Sequence, residues 1–214
     1  MSWWLEACQS PSESVLAQAL ARQSQLTKPT GSLSELESVA VTLASLQNTV
    51  KPKIDRPWIT IFAGDHGVME ENISAYPQVV TRQMLQNFAT GGACISVIAK
   101  EYQAKLQVID CGSVGEAYEY VGVERHCIRA GTANFAQTQA MTEAECEAAF
   151  ALGQKSVEDA IAYGADIYVA GEMGIGNTCS ASAVACFLLA EPAEKLTGVG
   201  TGIRTEQLIH KKQV

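Results

Sequence analysis

Residues 166–190 read DIYVAGEMGIGNTCSASAVACFLLA. A run rich in β-branched and aromatic side chains, Ile167 to Ala170, meets a glycine-punctuated turn, and a stretch dominated by alanine, serine and leucine follows. Strand, turn and helix in this order form the repeating unit of a parallel sheet with crossover helices. The reading places residues 171–178 at the carboxyl end of a strand, where open α/β sheets hold their ligands.

Working outward, two more apolar runs end in the same way: WITIFAGDHG (58–67) and KLQVIDCG (105–112). Helical patterns separate them at YPQVVTRQMLQNFATGGACISVIAKEY (76–102) and TEAECEAAFALGQKSVEDAIAYG (142–164). The alternation predicts an α/β fold with a parallel sheet over residues 57–214. Before it, SPSESVLAQALARQSQL (10–26) carries a helical apolar face of Val15, Leu16, Ala19 and Leu20. In TKPTGSLSELESVAVTLASLQ (27–47), Ser32 and Glu35 have the spacing of a capping box that opens a second helix. Residues 1–50 therefore read as a small helical part, joined by the polar, proline-marked NTVKPKIDRP (48–57). The last stretch, GVGTGIRTEQLIHKKQV (198–214), reads as strand, glycine turn and an opening helix without a stop signal. With three or four strands in all, the sheet is expected to be incomplete.

Composition removes several function classes. The formal net charge is −8 and no Lys/Arg cluster offsets it, which argues against a nucleic-acid partner but leaves room for a small anionic substrate held by local donors. The 7 cysteines are odd in number and contain no C-x-x-C, which favours free thiols in a reducing cytoplasm, most of them packed as small hydrophobes. The opening MSWWLEACQ has no basic leader region, and the longest apolar run, AVACFLLA (183–190), is too short to span a bilayer. Neither export nor membrane insertion is expected.

The informative residues follow each apolar run: GDHG (64–67), DCGSVG (110–115), GEMGIGNT (171–178) and GVGTG (198–202). In GEMGIGNT, Gly174 and Gly176 shape a turn with Asn177 and Thr178 at a helix start, so outward N–H groups suit either a phosphate or a plain capped turn; spacing does not decide between them. No Gly-Lys-Ser/Thr excludes a P-loop, and the dinucleotide glycine pattern is incomplete. Lys211 and Lys212 read as a solvated helix face. Asp65 and His66 suit an acid-base pair or, more simply, a supported turn; with 3 histidines and no H-x-x-x-H, no metal site is expected. Glu172, directly after the strand, is expected at a rim with limited solvent access, where a carboxylate needs donors or a chemical task.

Five ordered motifs, LTKPTGSL (26–33), AGDHGV (63–68), SAYPQVVTRQM (74–84), GEMGIGNT and GVGTG, resemble the nicotinate-nucleotide:dimethylbenzimidazole phosphoribosyltransferase family over essentially the whole chain. The resemblance implies a Rossmann-like domain, a small helical domain, a cytoplasmic homodimer, and a reaction without metal or cofactor. In that reaction the ribose-5-phosphate of nicotinate mononucleotide moves to a nitrogen of 5,6-dimethylbenzimidazole in cobalamin assembly, giving α-ribazole 5′-phosphate and nicotinate. It also implies that Gly174, Gly176, Asn177 and Thr178 bind the nucleotide with Gly200 and Gly202 nearby, with Asp65 and His66 at the same site. Glu172 and Lys211 match catalytic positions, and Tyr76, Gln83 and Met84 would wall the acceptor ring. The family's general-base glutamate lies in a C-terminal region that these 214 residues do not include. The alternative is therefore a nucleotide-binding fragment without turnover, with exposed apolar surface where the missing third would pack.

Overall fold

The computed structural model describes residues 3–214; Met1 and Ser2 of the opening segment lie outside it. The chain divides into two compact units, one ending at Asp55 and the other running from Arg56 to Val214.

The first unit is a pair of helices. In α1 (Glu13–Gln25) Ser12 caps the first turn by accepting from the Val15 N–H, and α2 spans Glu35–Leu46. Val15, Ala19, Val41 and Ala44 pack between them, while Leu16 and Leu20 of the expected apolar face stay exposed. The expected Ser32–Glu35 capping box does not form. Residues 31–34 are turns, Ser34 takes a positive φ of 50° at the helix start, and Glu37 instead accepts from the Leu33 N–H and pairs with Lys28 at 2.7 Å.

The second unit starts with β1 (Pro57–Gly64) and continues through α3 (Val79–Thr90), α4 (Cys94–Glu101), β2 (Lys105–Gly112), β3 (Glu124–Arg125) and α5 (Glu143–Tyr163). It then runs β4 (Ile167–Met173), α6 (Asn177–Leu189), α7 (Ala193–Leu196) and α8 (Thr205–Gln213). The sheet order is β3-β2-β1-β4, every pair parallel. Three features differ from the sequence reading. The long pattern over 76–102 is two helices, split where Gly91 takes the left-handed conformation at φ 87°. Two-residue β3 carries no periodicity to read. Residues 197–203 form no strand; they fold over the start of α6, with the Ser182 hydroxyl donating to the Leu196 carbonyl.

Side-chain alternation sorts the two faces of the sheet. Ile59, Ile61, Ala63 and Val108 pack against Leu85 and Phe88 of α3 and Ala99 of α4. On the opposite face Trp58, Thr60 and Gln107 meet Ser156 of α5 in a closed polar knot. Thr60 Oγ1 lies 2.9 Å from both Trp58 Nε1 and Ser156 Oγ, and Ser156 also reaches Tyr168 Oη. Such a network has one satisfied arrangement and so fixes the register of β1, β2 and α5. Toward the carboxyl ends this face continues as Phe62, Cys111 and Glu172, where the polar knot gives way to open space.

The chain goes from β1 to β2 on one side, and β4 later joins β1 on the other. The crevice between the ends of β1 and β4 is thus the topological switch point where such sheets bind ligands. β4 is a sheet edge among the described residues, and Val184, Phe187, Leu188 and Leu189 of α6 are exposed. Among the described residues no helix is long and apolar enough to cross a membrane. The cysteines do not follow the buried expectation: Cys8, Cys94 and Cys127 are exposed, Cys179 alone is buried, and all are free thiols.

Candidate active site

Three carboxylates stand at the strand ends, and their surroundings differ. Asp65, after β1, is buried; it accepts from Thr81 Oγ1 at 2.7 Å and from the Val114 N–H at 2.8 Å. Burial raises its pKa against the opposing pull of these donors. Thr81 Oγ1 accepts in turn from the Ile175 N–H at 3.1 Å, so Asp65 ties the end of β1 to the turn after β4. Asp110, in β2, is equally enclosed, accepting from the N–H groups of Gly112 and Ser113, the Ser113 hydroxyl and Tyr118 Oη. Burial, with that donation to Asp110, pushes the Tyr118 phenol up to about 12. Glu172, paired in register with Phe62, is exposed and has no hydrogen-bond or ion-pair partner among the described residues. The expected restriction of solvent at Glu172 does not hold, because nothing in the described chain covers the open edge of β4.

Glu172 lines a cavity of about 270 Å³ between the carboxyl ends of the strands and the start of α5, with Phe62, Cys111, Ile128, Arg129 and Met141 among its walls. An apolar cavity of about 150 Å³ is enough to hold benzene, so this one has room for a bicyclic aromatic ring. Arg129 Nη1 lies 3.6 Å from Glu145 Oε1 at the wall. The Cys111 thiol, pushed up to about 11 by burial and the charge of Asp110, stays protonated at neutral pH and is no nucleophile.

A second, smaller cavity lies at the start of α6, lined by Ser74, Gly174, Gly176, Thr178, Thr201 and Lys211, among others. Gly176 is the residue before α6 and has φ 104°, a conformation that glycine adopts without strain. Among the described residues the N–H groups of Gly176 and Thr178 have no acceptor, which leaves them for an anion. Gly174 is required for closeness: a Cβ there would stand 2.3 Å from the Gly64 carbonyl oxygen across the crevice.

Lys211 does not sit on a solvated face. It is buried, and its ammonium donates to Thr178 Oγ1 at 2.8 Å and to the Gly198 carbonyl at 3.3 Å, while burial lowers its pKa. Lys212, the next residue, is half-buried and donates to the Glu194 carbonyl at 3.2 Å. A Cβ on Gly200 would meet Thr178 Oγ1 at 2.7 Å and Lys211 Nζ at 3.4 Å, so its bareness keeps the cation approachable; Gly202 lines neither cavity but donates its N–H to the carbonyl of Val199, which lines the second. Tyr76 and Gln83 are exposed, Met84 packs beside the core of the first sheet face, and none of the three lines either cavity. His66 lies against the start of α6, with Nε2 on Asn177 Oδ1 and Nδ1 2.9 Å from Ser180 Oγ. Among the described residues no group of three or more His, Cys, Asp or Glu side chains is placed to hold a metal.

Several participants carry no signal of their own in the sequence. Thr81 lies inside SAYPQVVTRQM, but its link to Asp65 and Ile175 joins residues 16 and 94 positions apart. Arg129 and Met141 come from an irregular segment without periodicity.

A phosphoribosyltransferase family model matches residues 8–214. The chain belongs to the phosphoribosyltransferase family. This phosphoribosyltransferase chain is 54% identical over 213 residues to the nicotinate-nucleotide–dimethylbenzimidazole phosphoribosyltransferase of Pseudomonas fluorescens Pf-5. It is 47% identical over 214 residues to the enzyme of the same name from Pseudomonas aeruginosa. In both comparisons all of this chain is covered and 61% of the relative, so the chain spans about three fifths of the length of the curated relatives it matches. The crystal structure of CobT from Thermus thermophilus superposes with a TM-score of 0.86 at 47% identity, over 94% of this chain and 60% of that one. The likeness extends to the α/β architecture that carries the two cavities.

Proposed function

We propose that the protein takes part in transferring the ribose-5-phosphate of nicotinate mononucleotide to 5,6-dimethylbenzimidazole, yielding α-ribazole 5′-phosphate and nicotinate. The reading rests on the family membership and on one observation of the site: a buried cation and free N–H groups adjoin an apolar cavity whose wall carries the unpartnered Glu172.

The chemistry asks for little acid or metal assistance, because the leaving group is a pyridinium that departs as a neutral ring. The bond from C1′ to the pyridinium nitrogen breaks and its electron pair stays on that nitrogen; the benzimidazole lone pair forms the new bond to C1′ from the opposite face, inverting the carbon. The benzimidazole N–H proton then passes to a base, which the resemblance places outside residues 1–214. In this reading the N–H groups of Gly176 and Thr178, with Lys211 behind Thr178, hold the 5′-phosphate and so fix the ribose. The carboxylate of Glu172 stabilises the positive charge that grows at C1′. Inversion requires the two flat rings on opposite sides of the sugar. The large cavity has room for one of them.

The test is chromatographic detection of α-ribazole 5′-phosphate after incubation with both substrates, alongside calorimetry with nicotinate mononucleotide. Product, or at least saturable heat with the nucleotide, is expected; absence of both refutes the assignment.

A further inference from the structure

Asn177 is the only residue that lines both cavities, among the described residues. Its side-chain oxygen is occupied by His66 Nε2, while its amide nitrogen has no acceptor among the described residues. An amide oxygen only accepts, so in this orientation the bond requires the proton on His66 Nε2, with Nδ1 accepting from the Ser180 hydroxyl. His66 is held at its ring, its backbone and its Cβ. Nδ1 faces Ser180 Oγ at 2.9 Å, the backbone carbonyl of His66 accepts from Gln78 Nε2 at 3.0 Å, and bare Gly176 lies over the His66 Cβ, where a Cβ of its own would be 3.3 Å away. The last contact explains the glycine's place twice over: it allows the positive φ, and it lets the imidazole approach the first turn of α6. Gly174 packs on the same amide, since a Cβ there would stand 2.2 Å from Asn177 Oδ1.

We infer that His66 is a positioning residue which fixes the amide of Asn177 so that both N–H bonds of its Nδ2 face the boundary between the two cavities, where an oxygen of the bound nucleotide's sugar or phosphate accepts them. A free asparagine amide can turn over and offer oxygen in place of nitrogen, which would set a lone pair against an anionic ligand. With the proton on Nε2, the turned orientation would set two donors against each other. The anchor is built from the strand β1 end and the α6 start together, so the amide's aim follows the crevice that separates them. The inference rests on the nucleotide assignment above for its ligand, and on His66, Asn177 and Ser180 alone for its mechanism.

The experiment measures the affinity of the 214-residue chain for nicotinate mononucleotide in a double-variant cycle. Asn177→Ala and His66→Leu are each expected to weaken binding about tenfold, and the double variant to bind no more weakly than Asn177→Ala alone. His66→Gln, whose terminal amide can place an N–H near the position of Nε2, is expected to bind within about twofold of the parent. Additive losses, or a His66→Gln variant as weak as His66→Leu, overturn the positioning role while leaving the substrate assignment standing. No binding by the parent chain removes both. A nitrogen-15 spectrum of the imidazole without ligand tests the mechanism independently of the nucleotide. A protonated Nε2 whose resonance shifts in Asn177→Ala supports the inference; a ring protonated only at Nδ1, or one indifferent to Asn177→Ala, overturns it whatever the nucleotide does. Circular dichroism of each variant separates loss of fold from loss of aim.

Discussion

Asp65 and Glu172 stand at the ends of neighbouring strands, and only one of them is chemically free. Asp65 is buried and spends its oxygens on Thr81 and Val114, joining a helix and a loop that the chain brings from 16 and 49 residues away. Glu172 faces a cavity without any partner among the described residues. The same functional group at adjacent places thus serves as a rivet in one case and in the other stays available for the chemical task proposed for it. Hydrogen-bond satisfaction, rather than position at a strand end, tells them apart.

The sharpest way to break this contrast is to remove the rivet. Asp65→Ala leaves the Val114 N–H and the Thr81 hydroxyl without their acceptor, and is expected to cost about 2–4 kcal/mol in urea unfolding. Glu172→Ala in the same assay should stay within about 0.5 kcal/mol. Conversely, Glu172→Gln is expected to lower turnover about a hundredfold, roughly 2.7 kcal/mol of barrier, with unchanged unfolding; a variant at full rate would return Glu172 to the ordinary surface. Gly174→Ala probes the gap between the two strand ends and should lose about 1–3 kcal/mol of stability, since its methyl meets the Gly64 carbonyl.

The smallest effect concerns the buried cation. Lys211→Met should weaken nucleotide binding about tenfold, as one desolvated charge contact is lost. Because burial lowers the pKa of Lys211, the folded chain releases this proton before the unfolded chain does. Stability therefore rises with pH between the lowered folded value and the ordinary 10.5 of the unfolded state, and the proposed affinity for the nucleotide is expected to fall as pH passes the lowered value. A titration of both quantities in the parent and in Lys211→Met shows whether the lysine is their common source.

Much of the frame is legible in the sequence because it is local. β1, β2 and β4 each read as an apolar run that meets a glycine, and the turn before α6 presents the site's glycines, Asn177 and Thr178 directly. What escapes is set by partners distant in sequence. Lys211 looks like half of an exposed Lys-Lys pair until the helix that bears it lies against Thr178, 33 residues earlier. Glu172 reads as restricted because the residues before it are apolar, yet exposure depends on what covers the sheet edge. The strand expected at GVGTG (198–202) is absent since glycines that permit a strand end permit a loop equally well. His66 stands out for its chemistry, but only the fold shows that its ring meets Asn177.

The pairing of β1 with β4 has a consequence for the order of assembly during synthesis. Arg56 and Asp166, which close the foot of that pair, are 110 residues apart. At about 5–20 residues per second, the ribosome delivers β4 roughly 5–20 s after β1. β2 emerges well before then and can dock beside β1, so the nascent chain waits with one half of the crevice already formed, and both cavities stay open-walled until translation has passed α6.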